Sequence, residues 1–266
     1  MTEFLQVNNG QIAFDDAGSG PIVICVPSLG DVRAEYRFLK PYLLAAGYRV
    51  ITMDVRGHGE SSTGWEDYSV AGIGQDILAL IQNLYGGPAY LVGTSMAGGA
   101  AIWAAAEQPE LISGLILIDA FVDGDSNPFL VAVLSLAMAR PWGPKMWTKY
   151  YSSLYPTFKP EDFEGYRAAL EANVRQPGRL EAVMAMLRAS KRASGERLSQ
   201  IRQPALVLMG SRDPDFKNPK AEAERIGQAI NAEVNLIENA GHYPHAEMPE
   251  KTAALILDFL KSTAKG

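Results

Sequence analysis

The chain has 266 residues, 47% hydrophobic and 20% charged, with a formal net charge of −6 and a pI near 5.2. That length suits one large domain, or a domain with an insert, and the apolar content can fill a sizeable core. The acidic balance argues against a nucleic-acid partner, whose phosphates need a basic face. Met1-Thr2-Glu3-Phe4 lacks the basic and apolar regions of a signal peptide, and the longest apolar stretch, Phe129 to Ala139, is shorter than the roughly 20 residues of a bilayer span. The lone Cys25 cannot form an internal disulfide. A cytoplasmic protein with no membrane partner is expected. Three histidines and one cysteine are too few for a typical structural zinc site, and no spacing suggests another metal, so none is expected.

Taken in chain order, Phe4 to Val7 and Gln11 to Phe14 read as strands joined through Asn8-Asn9-Gly10, a hairpin signal. Ile22 to Val26 is a continuous apolar run of the kind buried on both faces of a parallel sheet. A helix over Ala34 to Ala46 and a strand over Tyr48 to Met53 follow. The alternation continues with helix Val70 to Leu84, strand Ala89 to Val92, helix Met96 to Glu107 and strand Leu111 to Ile118. Such alternation implies βαβ units around a mostly parallel sheet. From Val122 to about Arg197 the pattern is helical and broken by prolines, with no convincing strand. Alternation resumes with strand Ala205 to Met209, helix Pro219 to Ala232, strand Glu233 to Ile237 and a last helix from Pro249 to about Thr263. The expected organisation is an α/β core of residues 1–121 and 198–266 with a helical cap, 122–197, inserted into it.

Within Leu91-Val92-Gly93-Thr94-Ser95-Met96-Ala97-Gly98 a strand must end and a helix begin, with Ser95 on the turn between them. A serine there sits in strained backbone geometry, so the residues two before and two after it must be small; Gly93 and Ala97 meet that demand. A serine hydroxyl needs a base to become a nucleophile. The chain offers His58, His242 and His245. His242 follows the strand ending at Ile237 and falls at the carboxyl edge of the sheet, where Ser95 also emerges. His245 is the alternative, and His58, in Arg56-Gly57-His58-Gly59-Glu60-Ser61, is expected beneath the site. The acid that orients the base is read as Asp213, after the strand Ala205 to Met209, with Asp215 its near rival and Asp119 a more distant one.

Together, Gly93 to Ala97, Asp54-Val55-Arg56-Gly57-His58-Gly59-Glu60-Ser61, Gly210 to Pro214 and Gly241-His242 with Glu247-x-Pro249-Glu250 resemble the α/β-hydrolase superfamily over nearly the whole chain outside the cap. The resemblance implies a cofactor-free serine hydrolase of esters or similar acyl compounds. Serine at position 95 departs from the aspartate nucleophile of dehalogenases and epoxide hydrolases. It also implies an oxyanion hole, assigned to the N–H groups of Leu29 and Met96. Many relatives carry His-Gly where this chain has Pro27-Ser28; Pro27 has no N–H, and Ser28, by its N–H or hydroxyl, is the alternative first donor. Large apolar groups in the cap, among them Phe129, Leu130, Leu134, Met138, Trp142, Met146, Trp147, Tyr150, Met184, Met186 and Leu187, favour a greasy pocket. Ser28, Met138, Trp142, Trp147 and Met184 are taken as substrate-binding. The expected partner is a small-molecule ester, and the expected assembly a monomer or homodimer. Carbon–carbon hydrolysis, lactone hydrolysis and perhydrolysis remain open with the same three residues, as does a ligand sensor on this scaffold.

Overall fold

The computed structural model describes residues 1–7, 10–124, 136, 138 and 141–263. The Asn8-Asn9 turn, Phe129, Leu130, Leu134 and the rest of the Phe129–Ala139 run except Leu136 and Met138 lie outside the described residues. Eight strands form one sheet: β1 Thr2–Val7, β2 Gly10–Ala17, β3 Ile22–Val26, β4 Arg49–Met53, β5 Ala89–Thr94, β6 Ile112–Ile118, β7 Ala205–Gly210 and β8 Glu233–Ile237. Their order is β1-β2-β4-β3-β5-β6-β7-β8, antiparallel where β2 meets β1 and β4 and parallel from β4 to β8. The pairings Val26 with Gly93, Thr94 with Ile118 and Gly210 with Ile237 bring β3, β5, β6, β7 and β8 to one edge, and the site is built from the loops that leave it.

The helices among the described residues are α1 Lys40–Ala45, α2 Val70–Leu84, α3 Met96–Glu107, α4 Gly143–Ser153, α5 Phe163–Val174, α6 Arg179–Arg188, α7 Arg192–Gly195, α8 Pro219–Ile230, α9 Pro244–Glu247 and α10 Pro249–Thr263. Successive side chains of a strand point to opposite faces, so the sheet carries two cores. Leu91, Leu115, Leu117 and Val207 pack with Ile77, Ile102 and Ile226 from α2, α3 and α8. Val92, Ile116, Ile118 and Leu208 pack with Leu43, Ile256 and Leu260 from α1 and α10. Cys25 is fully buried in the second core. No helix among the described residues is long and apolar enough to cross a membrane.

The helix expected over Ala34 to Ala46 divides into a 3-10 turn, Arg33–Arg37, and α1. Pro41 explains the break: its missing N–H suits the first turn of a new helix and would leave a gap inside a continuing one. Between β6 and β7 the described residues hold α4 to α7 and no strand. Their inner faces form two apolar clusters. Tyr151, Leu154, Tyr155, Phe163, Tyr166 and Leu170 enclose Tyr243, beside the candidate base. Met138, Trp147, Val174, Leu180, Val183 and Met184 pack on Leu29, in the loop after β3.

The stretch Asp54 to Ser61 braces this edge from below. The buried Arg56 guanidinium grips the buried Asp76 of α2 with two parallel hydrogen bonds of 2.8 Å, a fork geometry that satisfies both charges. Asp54 accepts the N–H groups of Arg33 (2.7 Å) and Glu60 (2.9 Å). Removing one member of a buried ion pair strands the other's charge. Arg56→Met is therefore expected to destabilise the fold by about 3–5 kcal/mol, read as a lowered midpoint in urea unfolding. Arg56→Met with Asp76→Leu should recover much of that loss.

Candidate active site

The turn from β5 into α3 holds Ser95 at φ 57° and ψ −125°, a conformation that an L-residue adopts only under constraint. The constraint is a set of backbone bonds: Ser95 N–H donates to Ile118 O (2.9 Å), and Ser95 O accepts from Gly98 (3.0 Å) and Phe121 (3.0 Å). The crossing is close enough that a Cβ on Gly93 would stand 2.6 Å from Ala97 O. Ser95 Oγ has no hydrogen-bond partner among the described residues, and it opens on a cavity of about 430 Å³.

His242 opens on the same cavity. Its Nδ1 donates to Asp213 Oδ2 at 2.6 Å, with both side chains buried, while its main-chain N–H is tied to Leu154 O of the inserted segment (3.0 Å). Burial works against a charged ring, but the Asp213 carboxylate outweighs it and raises the His242 pKa from 6.5 to about 9. The same bond holds Asp213 below the usual carboxylate range despite its own burial. Asp215 makes no bond to the imidazole: its Oδ2 accepts the Tyr150 hydroxyl (2.6 Å), and its N–H donates to Asp213 Oδ1 (2.9 Å). Asp119 accepts Gly210 N–H (2.8 Å), and burial together with the Asp213 charge drives its pKa well up. Asp119, Asp213 and His242 place three potential metal-ligand atoms within 4.8 Å of one another. The His242–Asp213 hydrogen bond already uses two of those side chains.

The other two histidines do different work. His58 is buried; its Nδ1 faces Arg56 O (3.0 Å) and its Nε2 accepts Gly30 N–H (3.0 Å). A carbonyl can only accept and an N–H can only donate, so the ring is the neutral Nδ1–H tautomer. Burial, the chief influence, accordingly lowers its pKa to about 4. His245 is fully buried in α9, with Nε2 3.2 Å from Glu35 Oε1.

The N–H groups of the loop after β3 differ in whether they are already bonded. Ser28 N–H is committed to Glu35 Oε2 (2.7 Å) and its hydroxyl is paired with the Tyr243 hydroxyl (2.8 Å). Leu29 N–H and Met96 N–H meet no acceptor among the described residues, and both residues line the cavity. Gly30 follows at φ 77°, with the Trp147 indole where a Cβ would stand, and Trp147 Nε1–H donates to Gly30 O (3.2 Å).

Of the expected substrate-binding residues, Ser28, Met138 and Trp147 line the cavity. Among the described residues, two others do not line it. Trp142 precedes α4 and is 52% exposed, and Met184 is spent on the cluster beneath the inserted helices, where it packs with Leu180 and Trp147. Phe121, Leu154, Lys191 and Tyr243 line the cavity without having been singled out. Tyr243, next to the candidate base, had a sequence signal; the others lie on segments whose inward face only packing selects. A larger cavity, about 530 Å³, lies by Arg33, Arg37, Asp54 and Asn173 and reaches neither Ser95 nor His242.

The dyad is testable by itself. In an NMR titration the His242 ring should protonate with a pKa above the ordinary 6.5, because Asp213 favours the imidazolium. Asp213→Asn removes that charge and should bring the value down. An unshifted value in both proteins would contradict the geometry.

A family model described as "alpha/beta hydrolase fold" matches residues 21–249. The chain is 29% identical over 224 residues to a 2-hydroxy-6-oxononadienedioate/2-hydroxy-6-oxononatrienedioate hydrolase of Burkholderia vietnamiensis, covering 81% of this chain and 77% of the relative. It is 25% identical over 250 residues to 3-oxoadipate enol-lactonase 1 of Acinetobacter baylyi, covering 92% and 90%. Among solved structures, a thermophilic esterase from Thermogutta terrifontis superposes with a TM-score of 0.79 at 25% identity, covering 99% of each chain. With a sheet whose parallel strands deliver a strained serine, an acid and a histidine to one edge, and with that match over most of its length, the chain belongs to the alpha/beta hydrolase fold family.

Proposed function

We propose that the protein is a serine hydrolase that cleaves carboxylic esters of small to medium apolar acyl or alcohol groups through an acyl-enzyme. The observation that carries this reading is the convergence of Ser95, the Asp213-oriented His242 and two uncommitted backbone N–H groups on one cavity. His242 Nε2 takes the proton of Ser95 Oγ as that oxygen attacks the ester carbonyl. The absence of a Ser95–His242 hydrogen bond accords with this, since such contacts tighten on substrate binding. The carbonyl oxygen becomes an anion held by the N–H groups of Leu29 and Met96, donors that need no reorganisation as charge develops. Asp213 stabilises the imidazolium, which returns its proton to the departing alcohol. Water, deprotonated by His242, then attacks the acyl carbon, and Ser95 is released with the acid.

The cavity volume, about 430 Å³, suits a small or medium substrate. Leu29, Met96, Phe121, Met138, Leu154 and Leu187 make most of its wall apolar, with Lys191 and Asp215 the charged lining residues. A second reading, lactone or carbon–carbon bond hydrolysis by the same three residues, takes its support from the names of the Acinetobacter and Burkholderia relatives. A panel of graded nitrophenyl esters, lactones and ring-cleavage diketones separates the two by kcat/KM.

Ser95→Ala is expected to abolish turnover of p-nitrophenyl butyrate and covalent labelling by a fluorophosphonate, with the label mapped to Ser95 in the parent. Persistent turnover in that variant rejects the scheme. Since the base works only when neutral and Asp213 favours its charged form, kcat/KM should rise with pH along a limb above 6.5. Asp213→Asn should lower kcat by about 10⁴-fold.

A further inference from the structure

Glu35 is a buried carboxylate that does not line the catalytic cavity. It stands in the 3-10 turn Arg33–Arg37, with its two oxygens turned to different segments of the site. Oε2 accepts the N–H of Ser28, one residue before the proposed oxyanion donor Leu29 (2.7 Å). Oε1 lies 3.2 Å from Nε2 of His245, three residues after the proposed base. His245 is itself fully buried and stacks on the Tyr36 ring, with centroids 5.0 Å apart. The hydroxyls of Ser28 and Tyr243, 2.8 Å apart, tie the same two segments a second time.

The remaining fastenings of the loop run elsewhere: Gly30 to His58 and to Trp147, and Asp31 to the Tyr166 hydroxyl. Glu35 is thus the ionisable group that spans from the oxyanion loop to the histidine segment. Glu35 Oε1 and His245 Nε2 make no hydrogen bond and meet only at ion-pair distance, a contact directed at the spacing of two groups that must meet one substrate carbonyl.

We propose that Glu35 and His245 form a positioning pair that holds Leu29 N–H, through Ser28, at the distance from His242 that the tetrahedral state requires. The proposal rests on the ester-hydrolase reading of Ser95 and His242. Neither member touches substrate. Both act on the oxyanion, whose charge exists only after attack, so their loss falls on kcat and spares ground-state binding.

The test is steady-state hydrolysis of p-nitrophenyl butyrate, together with inhibition by an alkyl trifluoromethyl ketone, whose serine adduct carries the oxyanion. Glu35→Ala should lower kcat by about tenfold or more, with KM within about twofold and ketone affinity reduced in step with kcat. Glu35→Gln, whose amide oxygen still accepts the Ser28 N–H, should stay within about threefold of the parent. His245→Phe keeps the ring stack on Tyr36 but leaves the carboxylate without its partner, and should fall as Glu35→Ala does. Adding Glu35→Gln to it removes the stranded charge and should restore kcat.

The proposal is overturned by an unchanged kcat in Glu35→Ala, by an equal loss in Glu35→Gln, or by a loss confined to KM. If Glu35→Ala does not fold, His245→Phe against the double variant decides, and failure of the double variant to recover overturns the pair. Fluorophosphonate labelling of Ser95 in each variant keeps the two readings apart. Positioning can fail while labelling and Ser95 dependence persist, whereas the hydrolase reading fails only if turnover survives Ser95→Ala.

Discussion

The site depends on one backbone constraint, the left-handed turn at Ser95 between β5 and α3. An L-residue at φ 57° is uphill by roughly 1–3 kcal/mol, and the surrounding fold must hold it there. Three backbone bonds do so, one reaching the end of β6 and one the chain just after it. The strain lifts the serine side chain clear of the helix it begins and leaves Met96 N–H, an orphan donor of the first helical turn, aimed at the same space. One distortion therefore supplies both a candidate nucleophile and half of a candidate oxyanion site.

The second half comes from a loop that is clamped from several sides. Below it lie His58 and the Asp54 to Ser61 stretch; above it lie Trp147 and Tyr166 of the inserted helices; beside it lies Glu35. His58 works as a neutral acceptor for Gly30 N–H, which explains why a glycine-rich motif with its own histidine sits beneath the chemistry without taking part in it. The inserted helices contribute to the floor as well as the roof, since Leu154 O fixes the main chain of His242.

The electrostatics form a graded series. Burial and the neighbouring Asp213 push the Asp119 pKa up, the imidazole holds that of Asp213 down, and Asp213 in turn favours the charged ring of His242. A buried acid pair with one proton removed costs less than two adjacent charges. Of the two, the carboxyl held low is the one bonded to the imidazole.

What could be read along the chain was whatever depends on local order. Apolar runs with turn residues between them mark β3, β5, β6 and β7. The helix spans Val70–Leu84 and Met96–Glu107 follow from their alternation with those strands, since parallel neighbours need a crossover between them. Ser95, Asp213 and His242 were legible because each stands just past a strand end, and a parallel sheet brings such positions to one edge. What depends on which side of an element faces inward was not legible. Trp142 and Trp147 are equivalent in sequence, yet one, just before α4, is half exposed and the other packs over the loop after β3. His242 and His245 flank the same turn, and packing alone sets one against Asp213 and the cavity and the other against Tyr36 and Glu35. The fate of Ser28 N–H was likewise hidden, because its acceptor belongs to a turn whose orientation tertiary contacts alone decide. Sequence by itself determined the order of strands and helices and the residues at their ends; the tertiary structure decided which polar groups were already bonded and which were left to meet a substrate.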